Sequence, residues 1–542
     1  MLRTFCLIFT MLISALSATA SAAEDFDALI NQLPHKNLRN ITPLLEKIAA
    51  QDDERVRFVL TEIVNGDLYY LKSNKQVVSI RKTPDGDYQL TAIIGEQALE
   101  NQSKSAMKKI RTSNRIRSDI RGLLAQLDLT HKKEAVRLAA VKQILDDPNS
   151  ESIALIKKHL KTEKSEDVVQ LMETAMAVNQ FKTGSVQEKT SATKALKNSL
   201  EPSVRNAMVQ ELNRLSEYKN SELSEDDKAL KAALTKAIDS IKQKRSIYEF
   251  IENLFFGLSL GSVLLLAAIG LAITFGVMGV INMAHGEMIM LGAYTTYVVQ
   301  QLFPQWIDYS LFIAIPAAFI VSGSVGILIE RGVIRFLKGR PLETLLATFG
   351  ISLILQQLVR TIFSPLNRTV AAPEWMSGSW QINPIFSITY NRLYIVIFAL
   401  AVFFALLAFM KRSSLGLHVR AVAQNREMAR ALSVRSDRVD AITFGLGSGI
   451  AGIAGVVLSQ LTNVGPNLGQ SYIIDSFLVV VFGGVGNLWG TLVAAMSLGS
   501  FNKFLEPLTG SVLANIIVLV GLVLFIQKRP KGLFPQKGRA AE

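Results

Sequence analysis

Thirteen residues in the second half of the chain, Arg420 to Leu432, carry Arg420, Arg426, Glu427 and Arg430 among the small residues Ala421, Ala423, Ala429 and Ala431. That composition does no covalent chemistry. It suits a short helix seated in a groove of another protein, and equally a solvated basic linker. A second stretch, Gly483-Gly484-Val485-Gly486-Asn487, interrupts an apolar run, so the backbone must turn there inside a buried environment. Catalytic sets are missing. No nucleophile–base pair or metal set occurs at workable spacing, and His35, His131 and His159 are scattered. No G-x-x-x-x-G-K-S/T loop offers a phosphate cradle. Cys6 is the only cysteine, which excludes disulfides and cysteine-bound metal from the rest of the chain. The expectation is mechanical work, with no catalytic residue, metal or cofactor.

The elements that position these stretches follow from a change of composition near residue 250. The chain has 542 residues, 49% hydrophobic, with a mean hydropathy of +0.29, and is too long for one domain. Residues 24–245 read as a water-exposed, mostly helical domain and 250–530 as a membrane domain. Residues 531–542 form a basic tail, expected to be cytoplasmic. Arg3, the short apolar core Phe5–Leu16 and the alanines 18, 20, 22 and 23 form a signal-peptide pattern over 1–23. The net charge of +13 does not imply nucleic-acid binding, since no aromatic-basic platform accompanies it.

In the first domain, apolar spacing is helical from Phe26 to Ile48. Residues 68–71, 77–80 and 88–90 look like short strands, with a turn at Pro84–Asp87. After Gly95 the spacing predicts helices again: 135–145, 151–160, 166–178, 190–200, 202–215 and 228–242. Short paired helices with one apolar stripe each suggest a HEAT-like stack, which offers a docking face and no cleft. The basic run Lys104–Arg121 reads as a solvated helix face.

In the second domain, apolar segments of about 20 residues, the length that crosses a bilayer, occur at 254–275, 288–303, 311–329, 344–363, 393–410, 441–461 and 512–526. Residues 472–505, broken at 483–487, form a hairpin of two shorter helices. The fold class is thus an all-α polytopic membrane protein of about seven to nine spans, preceded by an exported helical domain with a small β insertion. Four of the 20 basic residues after residue 250 fall in 331–340, seven in 411–438 and five in 528–539. Crossing inward at about Phe250 places all three groups on the cytoplasmic side, as the positive-inside rule requires. The spans carry few ionisable groups, and a weakly polar path fits a small uncharged solute better than an ion. Glycines 445, 447, 449, 452 and 455 allow close helix contact.

Five motifs in order now make a family visible. They are Gly276–Met288 with Leu291–Tyr294, Arg340–Leu342 with Leu345–Gly350, Arg420–Val434, Val481–Gly490 and Arg529–Phe534. The sequence resembles the permeases of branched-chain amino-acid-type ABC importers over nearly all of 250–535. The long helical extension before them is similar to the urea-importing branch of that family. The resemblance implies a multi-pass subunit in a bacterial inner membrane, with the first domain in the periplasm. It also implies separate ATP-binding ABC subunits, a second homologous permease and a periplasmic solute-binding protein, besides the surrounding lipids. The solute would be urea, with branched-chain amino acids or short amides as the alternative and a passive channel as a further one. By the same resemblance Arg420, Ala421, Gln424, Asn425, Arg426, Glu427, Ala429 and Ser433 form the loop received by the ATPase. Ser433 stands where the family commonly has glycine, which places a strained left-handed turn in question. Asn282, His285, Glu287, Gly483, Gly484, Gly486 and Asn487 are candidates for a gate or pathway. After one inward crossing His285 and Glu287 are expected near the cytoplasmic end, bonding helix ends.

Overall fold

The computed structural model describes residues 26–534 apart from 38–39, 52, 83–87, 147, 149 and 219–222. The signal pattern 1–23, the turn at 84–87 and the tail beyond 534 lie outside the described residues. Two compact units divide the chain, Met1–Lys242 and Gln243–Glu542.

After a helical stretch at 26–32 and a 3-10 turn (Leu33–His35), the first unit continues with α1 (Thr42–Ala49) and α2 (Arg55–Asn65). Val56, Val59, Leu60 and Ile63 on α2 form one buried stripe, and Gly66 closes the helix at φ 82°. Five strands follow: β1 (Leu68–Leu71), β2 (Val77–Lys82), β3 (Tyr88–Ala92), β4 (Ala98–Gln102) and β5 (Met107–Lys109). They form an antiparallel sheet in the order β4-β3-β2-β1-β5. The helical expectation after Gly95 is therefore corrected, because β4 and β5 precede the next helix. Both are edge strands, and the largely exposed Ala-Leu-Glu-Asn-Gln of β4 lacks the apolar alternation that announces a half-buried strand. The basic run 104–121 is divided between β5 and the start of α3.

Helices α3 (Asn114–Leu129), α4 (Glu134–Asp146), α5 (Ser150–Leu160), α6 (Glu166–Thr183), α7 (Val186–Leu196) and α8 (Pro202–Ser216) complete this unit with the start of α9 (Glu225–Met278). One apolar core runs through them, with Val141, Ile156, Met172 and Met208 fully buried. Helix α7 begins four residues before the expected 190. Ser185 and Glu188 form a reciprocal capping box there, which satisfies two backbone N–H groups that a later start would leave open.

The second unit contains α9 from Gln243 onward, α10 (His285–Leu302), α11 (Ser310–Gly332), α12 (Pro341–Phe363), the hairpin β6 (Ser379–Asn383) and β7 (Phe386–Thr389), and α13 (Tyr390–Arg412). The chain continues through α14 (Ser414–Gln424), α15 (Arg426–Ala431), α16 (Ser436–Ser459), α17 (Leu468–Gly483), α18 (Leu488–Thr509) and α19 (Ser511–Lys528). Among the described residues six helices are long and apolar enough to cross a membrane: α9, α11 with the turn before it, α12, α13, α16 and α19. The expected broken hairpin is present as α17 and α18.

Helix α12 shows why this unit belongs in lipid. Thr344, Thr348, Ser352 and Gln356, four residues apart, are buried, whereas Leu342, Leu346, Leu353, Leu358 and Ile362 face outward. The pattern is the reverse of a water-soluble helix. Helix α16 is buried along nearly its whole length. A Cβ on Gly452 would stand 2.6 Å from the Ala318 carbonyl oxygen, so glycine lets the two helices meet backbone to backbone.

Candidate coupling site and membrane path

The segment between α13 and α16 is built by caps. The Ser413 hydroxyl accepts from Gly416 N–H at 3.0 Å and starts α14, and the Asn425 side chain accepts from Met428 N–H at 2.9 Å and starts α15. Helix α15 ends through Val434 N–H donating to the Ala429 carbonyl at 3.0 Å, with Ser433 at φ 65°. The left-handed turn that glycine would favour is thus retained by a serine. Its cost is about 1–2 kcal/mol for an L-residue.

The basic residues of this segment turn inward. Arg426 donates both terminal nitrogens to Asp440, at 2.6 and 3.1 Å. Asp440 is fully buried in the first turns of α16 and also binds Lys338. Arg430 donates Nε to the Ser436 hydroxyl at 2.7 Å and lies 3.5 Å from Asp437, which Lys338 and Arg335 approach at 3.5 and 3.6 Å. Arg420 donates to the Met410 carbonyl. Of the residues expected to face a partner, Arg420, Arg426 and the buried Ala429 are therefore anchors, and Ala421 is half-buried. Gln424, Asn425, Glu427 and Ser433 remain exposed. Two apolar side chains are exposed beside them, Met428 at 59% and Leu432 at 74%, four residues apart and so on one helical face.

The candidate gate residues separate into two places. His285 Nε2 is 2.8 Å from the Ala267 carbonyl oxygen, and Glu287 Oε1 accepts from the Ser352 hydroxyl at 2.8 Å and Gln356 Nε2 at 2.7 Å. Asn282 Oδ1 accepts from Ala284 N–H at 3.0 Å. All three side chains are buried, and His285 Nδ1, Glu287 Oε2 and Asn282 Nδ2 have no partner among the described residues. The partners of His285 and Glu287 lie well inside α9 and α12. The expectation that these two residues bond helix ends is corrected, because the chain after Met278 returns along α9 before α10 begins.

The second set, Gly483–Asn487, joins α17 to α18 at another place. Gly484 and Gly486 have φ of 102° and 78°, values that glycine adopts at little cost. Asn487 starts α18 by accepting from Trp489 and Gly490 N–H. Leu533 N–H donates to the Phe482 carbonyl at 2.9 Å and Phe534 N–H to the Gly483 carbonyl at 3.2 Å. None of the partners of Asn282, His285 and Glu287 comes from 483–487. The first residues of the expected cytoplasmic tail, 531–534, are docked onto this turn.

Residues 253–527, half of the chain, match the family described as branched-chain amino acid transport system / permease component. This chain belongs to that permease family. The high-affinity branched-chain amino acid transport system permease protein BraD of Pseudomonas aeruginosa is 30% identical over 298 residues, 53% of this chain and 96% of the relative. Its counterpart LivH of Salmonella typhimurium is 31% identical over 294 residues, 52% and 95%. The ribose import permease protein RbsC of Escherichia coli is 26% identical over 284 residues, 51% and 84%. No solved structure matches.

In this permease Asp440, which holds Arg426, is also bound by Lys338 from 102 residues away, and no spacing rule could pair those two. Met428 and Leu432 escaped the sequence reading because they look like ordinary helix residues. Glu330 escaped it too. It is a buried carboxyl in α11 with neither oxygen bonded among the described residues, beside a pocket of about 640 Å³ that Arg331, Arg335 and Arg430 also line. With Glu287 and Asp475, it gives the permease's helices more acidic groups than the expected weakly polar path.

Proposed function

We propose that the second unit is the translocating subunit of an ATP-driven ABC importer in a bacterial inner membrane, and that its cargo is branched-chain amino acids. The observation carrying the reading is the coupling segment. A short helix is fixed to the buried glycine-rich α16 through Arg426 and Asp440, while Met428 and Leu432 face outward. An ATPase subunit gripping those two side chains moves α16 through a charge-assisted double bond, the kind of contact that keeps its geometry under load. The energy comes from partner chains, since this one has no nucleotide cradle. A second permease completes the path, and a periplasmic binding protein delivers the solute. The relatives named for branched-chain amino acid transport support that cargo.

Urea is a second reading. It is favoured by the first unit, which lies wholly before the family match that starts at residue 253. In this reading and in the first, the HEAT-like helical unit is exported and meets the binding protein.

Proteoliposomes holding the permeases and their ATPases, supplied with binding protein, decide between them. Labelled leucine should enter only with ATP. Leu432→Asp should abolish entry while the protein elutes as wild type. Entry without ATP would point to a passive channel, and entry of urea without leucine would establish the second cargo. Capture of a binding protein by fragment 24–245 tests the role of the first unit.

A further inference from the structure

A pocket of about 660 Å³ opens between α9, α17, α18 and α19. Thr462 is on its rim, just beyond the end of α16. A 24-residue helix is about 36 Å long, so the pocket lies at the far end of α16 from the coupling segment. Its walls are mainly aliphatic, with Leu264, Leu498, Ile516 and Leu519 among them.

The polar groups in it are unevenly satisfied. Lys503 is paired with Glu506 at 2.5 Å, and the side-chain amides of Asn502 and Asn515 bond each other. Asp475 is different. It stands eight residues into α17, between Ile474 and Ser476, and makes no hydrogen bond or ion pair among the described residues. A lone carboxylate in an aliphatic wall is costly, and inside a membrane protein such a group marks a site awaiting a counter-charge. The formal charge of the lining is −1, from Asp475, Glu506 and Lys503.

We propose that this pocket is a solute station in the membrane, where Asp475 receives the α-ammonium of an aliphatic amino acid. The solute's carboxylate is met by donors on α18 and α19, from the Lys503 ammonium and the Asn502 and Asn515 amides. The branched side chain lies on the leucine and isoleucine wall. A small apolar pocket with a few convergent polar groups is the usual form of such a site. The assignment rests on the amino-acid reading of the cargo. Urea carries no charge to neutralise Asp475 and no side chain to cover the wall.

The test uses the assembled importer in proteoliposomes. Asp475→Asn should lower leucine uptake at least about tenfold, as expected when a built polar contact loses its partner, and Asp475→Glu should restore part of it. A second measurement keeps Asp475 in place. Ser471, exposed on the pocket rim, is replaced in Ser471→Cys on a Cys6→Ser background, leaving a single thiol. Leucine should slow its reaction with a maleimide, and urea should not. A wild-type importer that carries leucine while Asp475→Asn carries it equally well overturns the site alone. Leucine that leaves the thiol unprotected does the same. A wild-type importer that carries urea and no leucine overturns the cargo reading and the ammonium assignment with it.

Discussion

The two units bury their helices by opposite means. In the first, a core of leucine, isoleucine, valine and methionine is enclosed by charged surface, and its buried charges are paired. Glu163 is held by Arg137 through bonds of 2.7 and 2.9 Å, and Glu211 by Lys189 and Arg214. In the second, glycines meet backbone, and on α12 polar side chains turn inward while aliphatic ones face out. Water expels apolar side chains in the first case. In lipid that drive is absent between helices, so contact depends on how near two backbones can come. Volume is tolerated differently as a result. A wide side chain is a resource in one unit and an obstruction in the other.

Gly452→Leu is the strongest attempt to break this contrast. Its Cβ alone would stand 2.6 Å from a backbone oxygen of α11, so detergent-solubilised protein should be lost to aggregation, as size-exclusion chromatography would show. Gly521→Ala, where nothing lies within 4 Å of the new Cβ, should be harmless. Equal yields from both variants would end the argument for backbone-to-backbone packing. Next comes Asp440→Leu, which leaves Arg426 and Lys338 facing an apolar side chain. Loss of one partner of a buried ion pair costs about 3–5 kcal/mol, less where the partners are part-exposed as here. Faster proteolysis within 413–436 should report it.

In the first unit the sensitive quantity is pH. Arg137 beside Glu163 lowers its carboxyl from 4.5 to about 2. A lowered folded-state value contributes stability that is complete above the unfolded value and is lost as pH falls from about 4.5 towards 2. Glu163→Gln should therefore destabilise fragment 24–242 at pH 7 by the roughly 1.5–3 kcal/mol of a charged hydrogen bond, seen as a lower melting temperature. It should also flatten the decline below pH 5. An unchanged acid slope, followed by circular dichroism, would discount the pair. Smallest is Ser433→Gly, which relieves the left-handed strain and should stabilise the turn after α15 by about 1 kcal/mol, seen as slower hydrogen exchange at Val434.

Much of the membrane unit was legible because its signals are local. The 483–487 break, the order of the spans and the basic segment before α16 each reside in consecutive residues. The candidate site was legible only in outline. Arg426 could be placed on a short helix from its neighbours, but its direction depends on Asp440 and Lys338, brought by other helices. Met428 and Leu432 acquire meaning only once Ala429 is seen to be buried. The return of the chain after Met278, which carries His285 and Glu287 away from the end of α9, begins at Gly279 with φ 67°; one glycine among many does not announce a reversal. In the first unit β4 and β5 were hidden by their polar edge positions.

The docked segment 531–534 has a mechanical consequence. Its two N–H groups are clasped by carbonyls of residues 482 and 483, and Asn487 Nδ2 reaches the Phe534 carbonyl at 3.2 Å. The clasp spans both arms of the α17–α18 hairpin, so the arms can splay only if the strap behind α19 lifts with them. This turn thus works as a buckle, and force applied to it reaches the hairpin without passing through α16.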